Sequence, residues 1–228
     1  MRFPGHAAAQ TFHFQKVGNW QWVLNHIGYF WSLSRTHLYL ALVSVVLGLA
    51  LSLPIGVLAA RRPRAYPAVL AVSTFLYSLP SLAVFALLLD ITGLTDNTVI
   101  VALAVYAGTI LVRSVTDGLR SVPEEVRLSA TAMGYRPWRR LVGVELPTAL
   151  PVIVAGLRVA TVASISLVTV AALIGNGGLG QLFIAGENSD FITEVLCGVV
   201  LVVFWAIVCD GAILAGGWAL TPWTRKQR

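Results

Sequence analysis

SVPEEVRLSATAMGYRPWRRLVGVELPT, residues 121–148, is the one long polar stretch of the chain with an apolar run on each side. A mere connector between helices is usually shorter. Pro123 suits a helix start, and Glu124 and Glu125 behind it suit the positive end of a helix dipole. Val126, Ala130 and Met133 then fall on one helical face at spacings of four and three. Gly134 ends that helix, and Pro137 opens a second short one running to about Gly143. The pattern predicts two short helices parallel to a membrane, presenting Ala130, Ala132, Met133 and Trp138 as a docking surface for a cytoplasmic partner.

Outward from this loop, apolar runs cover about 98–119 and 149–174, and beyond them 38–60, 67–89 and 195–219. Each approaches or exceeds the roughly 20 residues that cross a bilayer core. Backbone inside lipid must satisfy its own hydrogen bonds, so each run is read as a helix, with kinks predicted at Pro54 and Pro80. The composition agrees: of 228 residues 57% are hydrophobic and 11% charged, too little polar surface to solvate a globule of that size. Cys197 and Cys209 lie inside one apolar run and are read as small hydrophobes.

The net charge of +6 describes topology and not nucleic-acid binding, because the basic residues sit between apolar runs. Eleven of the 16 follow the first, third and fifth runs, from Arg61 to Arg228, whereas 90–97 and 175–194 contain none. The N-terminus is therefore expected outside and the C-terminus inside. Residues 19–36 mix Trp20, Trp22, Tyr29, Phe30 and Trp31 with polar groups, which suits a short interfacial helix. The first 36 residues hold no apolar core followed by a cleavage site, so the first run is expected to be an uncleaved anchor. His6, His13, His26 and His37 lack the i, i+4 spacing of a helical metal site and are read as bystanders, with no metal expected. The expected organisation is an external segment over 1–36, one transmembrane domain over 37–220 and a cytoplasmic tail over 221–228.

The central loop resembles the EAA loop of permease subunits of ATP-binding-cassette importers, whose pattern is Glu-Ala-Ala, three residues, Gly, nine residues, then Ile-x-Leu-Pro. Ser129 and Ala130 stand at the alanine positions, Gly134 at the glycine, and Val144-Glu145-Leu146-Pro147 follow after nine residues. Leu128 occupies the glutamate position, leaving Glu124, Glu125 or Arg127 to supply a charged contact. The resemblance continues over nearly all of residues 37–223 and is greatest to osmoprotectant permeases for glycine betaine, choline or related quaternary amines. Methionine-importer permeases share the plan and are the alternative. The resemblance implies an all-α integral membrane fold of five transmembrane helices, in a bacterial cytoplasmic membrane.

It also implies partners: an ATPase dimer that binds ATP and Mg, a second permease chain, and an extracytoplasmic solute-binding protein. This chain is not expected to be an enzyme or to bind a cofactor, since Lys16 and Lys226 follow Gln15 and Arg225 and form no phosphate loop. Gly175, Gly177, Gly178 and Gly180 match a dinucleotide-binding spacing, but they follow a membrane helix and not a strand, so they are read as a tight outer turn. Residues 181–191 beyond it are a candidate gate element. A secondary transporter would show duplicated broken helices, and no such duplication is evident.

Two groups inside the spans stand out. Tyr77, Ser78, Pro80 and Ser81 interrupt the second run and either touch a passing solute or pack helix against helix. Arg158 and Asp210 lie roughly 16 Å and 15 Å from the cytoplasmic ends of spans four and five at 1.5 Å per residue, equal depths that make them candidate partners. Arg158 snorkelling inward or bonding Glu145 is the alternative, and Arg113 and Asp117 either pair with each other or compete.

Overall fold

The computed structural model describes residues 20–223. The expectations on His6, His13, Lys16, Arg225, Lys226 and Arg228 fall outside them. Ten α-helices are described: α1 (Trp20–Asn25), α2 (Ile27–Arg61), α3 (Ala65–Ser78), α4 (Ser81–Thr92), α5 (Asp96–Arg120), α6 (Glu124–Ala132), α7 (Pro137–Arg140), α8 (Leu146–Ala171), α9 (Gln181–Asn188) and α10 (Ile192–Leu220). A π-helical turn, Leu141–Glu145, joins α7 to α8, and short 3-10 turns at Ala172–Ile174 and Gly178–Gly180 follow α8.

Four apolar helices are long enough to cross a membrane, and α3 with α4 makes a fifth, bent pair. The central helix is α5, packed against α2 and α8 and 67% buried over its apolar window, against 17% for α10. Val200, Phe204 and Ile207 on α10 lie at least half exposed, an apolar surface that suits lipid and not water. The α2/α5 contact is close because its residues are small. A Cβ on Gly48 would meet the Ala104 carbonyl at 3.0 Å, and Ser52 Oγ donates to the Gly48 and Gly108 carbonyls at 2.6 and 3.0 Å.

The two prolines behave differently. α2 stays helical through Pro54 and packs against α5. At Pro80 the run 67–89 bends sharply: α3 and α4 meet at 89°. The residue before a proline is pushed out of the helical region, and Leu79 is extended at φ −65°, ψ 137°. Tyr106 of α5 donates its hydroxyl to the Leu79 carbonyl at 2.7 Å, which satisfies a backbone group the break leaves free.

Over 19–36, where a short interfacial helix is expected, the described residues form α1 and the start of α2. His26 separates the two at φ −111°, ψ 16°. The 36/37 boundary therefore falls inside a 35-residue helix, roughly 52 Å long at 1.5 Å per residue and longer than the roughly 30 Å hydrocarbon core. Tyr29 and Trp31, both exposed, stand near its start, where aromatic residues favour the interface.

Candidate functional site

The loop between α5 and α8 folds as two short helices with a left-handed glycine between them. Gly134 has φ +82°, its N–H bonds the Thr131 carbonyl at 3.0 Å, and Tyr135 N–H bonds the Ala130 carbonyl at 3.1 Å. This paired closure is a Schellman cap, and it needs a residue tolerant of positive φ at that one position.

The face it presents differs from the predicted one. Ala130 is buried at 1% exposure and Val126 packs against Val115, Leu119, Leu141 and their neighbours, so that stripe anchors α6 to the spans. The outward apolar side chains are Leu128, Met133 and Trp138, all more than 60% exposed, with Glu124, Glu125, Ser129 and Ala132 around them. Arg127 also turns inward, donating to the Leu119 carbonyl at 2.5 Å and approaching Glu124 at 3.6 Å, so it is not the outward contact expected of it.

Behind the loop, Arg140 Nε donates to Glu145 Oε1 at 2.7 Å and Arg140 Nη1 to Thr131 Oγ1 at 2.9 Å. Glu145 is 5% exposed, and its partner is Arg140, not Arg158. The ion pair crosses the π turn and ties α6, α7 and the base of α8 together. The sequence signal was an acid five residues after an arginine where a loop becomes a span.

A cleft of about 520 Å³ opens between α3, α5 and α8. Thr74 and Tyr77 line it from α3, Arg113, Ser114 and Asp117 from α5, and Val159 from α8. Of the four polar positions proposed in the second run, Tyr77 alone lines it. Ser78 Oγ donates to the Phe75 carbonyl at 2.8 Å within its own helix, and Pro80 and Ser81 form the bend. The polar wall comes instead from α5, where Thr109, Arg113 and Asp117 recur every four residues. That stripe was legible as a helical period inside an apolar run.

Arg158 and Asp210 meet: Nε lies 2.7 Å from Oδ1 and Nη2 2.7 Å from Oδ2, a two-pronged pair between α8 and α10. Each side chain is about one-third exposed. Arg113 and Asp117 do not pair within 4.0 Å; Arg113 Nη2 donates to Thr74 Oγ1 at 2.5 Å and Tyr66 donates its hydroxyl to Asp117 Oδ1 at 3.2 Å.

At the other end of α8 the glycine turn closes on the first span. His37, read as a bystander, is fully buried there. Its Nε2 donates to the Ile165 carbonyl at 2.9 Å and its Nδ1 accepts from Leu179 N–H at 3.2 Å, so one neutral tautomer uses both nitrogens. Gly178, at φ +50°, sits so close that a Cβ would fall 2.7 Å from His37 Cα, while Gly177 and Gly180 press on Ala172 and Thr169. Beyond the turn, α9 packs against α10.

Apolar crossing helices, a cleft among them with charged residues on one wall and a structured loop on one side describe the membrane-spanning subunit of a transporter. The chain belongs to the family of binding-protein-dependent transport system inner membrane components, which it matches over residues 52–216. It is thus a multi-pass inner-membrane permease, whose task is transport and not catalysis. It is 34% identical over 206 residues to the osmoprotectant import permease protein OsmW of Salmonella typhimurium, covering 88% of this chain and 96% of that one. It is 33% identical to the glycine betaine/carnitine/choline transport system permease protein OpuCB of Bacillus subtilis, covering 82% and 86%. Among solved structures it is similar to an inward-facing MetNI methionine ABC transporter chain, with a TM-score of 0.74, 25% identity, and 85% and 98% of the two chains covered.

Proposed function

We propose that this permease passes a small quaternary-amine osmoprotectant into the cell, driven by a separate ATPase that docks on residues 124–143. The observation that carries the coupling role is the exposed trio Leu128, Met133 and Trp138 on a loop that is capped and ion-paired to α8 from behind. Such a surface loses water when a partner covers it. Glu124 and Glu125 beside it offer charge to that partner. Leu128 makes the contact apolar where the family has a glutamate, so the partner's groove is apolar at that point. ATP and Mg bind the ATPase, and its closure reaches the spans as a rigid-body movement through α7, the π turn and α8. The arginine distribution supports a cytoplasmic loop and C-terminus with the N-terminus outside. An extracytoplasmic binding protein delivers solute at the glycine turn and α9, and a second permease chain closes the open cleft. Relatives named for glycine betaine, carnitine and choline support the substrate class.

Gly134→Leu tests the coupling. Left-handed backbone costs a side-chain-bearing residue about 1–2 kcal/mol, and the space around Gly134 is open, so strain in the cap is the whole effect. The loop rearranges while the spans stay folded. Osmoprotectant uptake falls about tenfold, as ~1.4 kcal/mol implies, while the ATPase keeps hydrolysing; normal uptake would remove this loop from the coupling path. Leu128→Glu, by contrast, is tolerated in the same assay.

A further inference from the structure

The cleft wall contributed by α5 carries two opposite charges one helical turn apart, both exposed towards the cleft and neither neutralised by the other. Four residues separate Arg113 from Asp117, about 6 Å along the axis. Each is held by a neutral hydroxyl of α3: Thr74 receives the Arg113 guanidinium, and Tyr66 donates to the Asp117 carboxylate. Tyr66 is fixed in turn by Arg120, whose guanidinium lies 4.0 Å over its ring. Arg113 and Asp117 stand seven and three residues before the end of α5 at Arg120, roughly 10 Å and 5 Å by helical rise, so the pair sits in the cytoplasmic half of the membrane. Among the described residues Arg113 has no carboxylate within 4.0 Å, although an arginine within a span ordinarily faces a partner. Tyr77 completes the wall, its exposed ring edge-on to Tyr106 with centroids 6.5 Å apart.

We infer that this wall is a solute subsite selective for zwitterions, in which Arg113 takes a carboxylate while Asp117, one turn along α5, takes the ammonium end. The inference rests on the osmoprotectant reading for the identity of the solute, but the dipolar wall defines the class by itself. An arginine can offer two parallel N–H groups to a carboxylate, and a carboxylate attracts a quaternary ammonium by opposite charge. A solute with both groups a few carbons apart satisfies both ends of the wall. A bare cation such as choline gains Asp117 but meets Arg113 with like charge, and a bare anion meets the reverse. The permease thus discriminates betaine-type zwitterions from alcohol-type cations after the binding protein has released its cargo.

The test uses the complete permease–ATPase complex in lipid nanodiscs, without binding protein, with saturation-transfer NMR on the N-methyl protons of two probes, glycine betaine and choline. The expected result is a glycine betaine signal well above that of choline. That preference is lost in Arg113→Gln and largely kept in Arg113→Lys, a change of about tenfold in apparent affinity for the removal of one charged hydrogen-bonding partner. Thermal melting of each complex shows whether a variant is folded, and Thr74→Val, which frees the guanidinium without removing it, is the second probe, expected to weaken glycine betaine less than Arg113→Gln does. Equal signals from the two probes in the wild type, no signal from either, or a preference that survives in folded Arg113→Gln would overturn the subsite. Uptake by cells carrying the whole importer is read separately: a wild type that imports no quaternary amine, with the zwitterion preference intact in nanodiscs, would overturn the substrate reading and leave the subsite standing.

Discussion

Reversing the ion pair, Arg158→Asp with Asp210→Arg in one chain, is expected to restore much of the uptake that Arg158→Ala or Asp210→Ala alone removes. Each single change leaves one charge in the membrane domain without the partner that now holds it by two 2.7 Å bonds. Such a charge favours expulsion of its helix towards water or misassembly of the bundle. The two side chains come from α8 and α10, and α10 is the least covered of the four long helices. It packs on α8 and α9, with Gly217 against Val154 and Gly198 against Phe183. Loss of the pair therefore lowers membrane-inserted protein and uptake together, by about tenfold where one ion pair anchors one helix. Immunoblots of the membrane fraction and radiolabelled uptake on the four chains measure it. A reversal no better than either single change would show that Arg158 and Asp210 act through other groups, and the pair would lose its role as the tie between spans four and five.

Gly178→Ala is expected to destabilise the protein far more than Gly175→Ala, although both glycines have positive φ. At Gly175 the space around a new Cβ is open, so backbone strain acts alone, about 1–2 kcal/mol. At Gly178 the same methyl group would meet His37 backbone and Cβ atoms at 2.7–2.8 Å, which cannot yield without moving α2. Overpacking adds about 1–3 kcal/mol and pulls Leu179 N–H away from the His37 ring. Thermal unfolding of the purified protein in detergent compares them directly. Equal melting temperatures would mean that the glycine turn is not wedged against the first span.

The sequence carried most of the loop between α5 and α8 because the residues that shape it have backbone meanings of their own. Pro123 and Pro137 open helices, and Gly134 takes the one left-handed position between them. Which side of α6 faces out was not legible, since Val126 and Ala130 on one side and Leu128 on the other are all apolar, and periodicity finds a stripe without saying what covers it. The depths of Arg158 and Asp210 needed only the ends of two spans and a helical rise. Arg127 could not be placed that way, because its acceptor is a backbone carbonyl that no side-chain pattern announces. Pro54 and Pro80 look alike in a sequence. They part in the fold: the helix continues past Pro54, whereas at Pro80 it breaks and Leu79 finds a tyrosine hydroxyl for its loosened carbonyl. The cleft wall is hard to read in the sequence for a different reason: the polar cluster around Pro80 is the more conspicuous interruption, and Ser78, Pro80 and Ser81 there serve the helix end and the bend.

His37 also dates the assembly of the molecule. The groups that hold its ring, the Ile165 carbonyl and the Leu179 N–H, lie 128 and 142 residues further along the chain. At about 5–20 residues per second of synthesis, the ring emerges on the order of ten seconds before either partner exists. During that interval α2 must stay in the bilayer on its own apolar character, and its mean hydropathy of 2.4 over the best window is near the top of the four long helices. Only when the fourth span and its glycine turn arrive does the first span become bonded to the newest. The Leu179 bond therefore forms late in biogenesis, and a chain truncated before Gly178 would reach the membrane with its first span inserted and that corner unlatched.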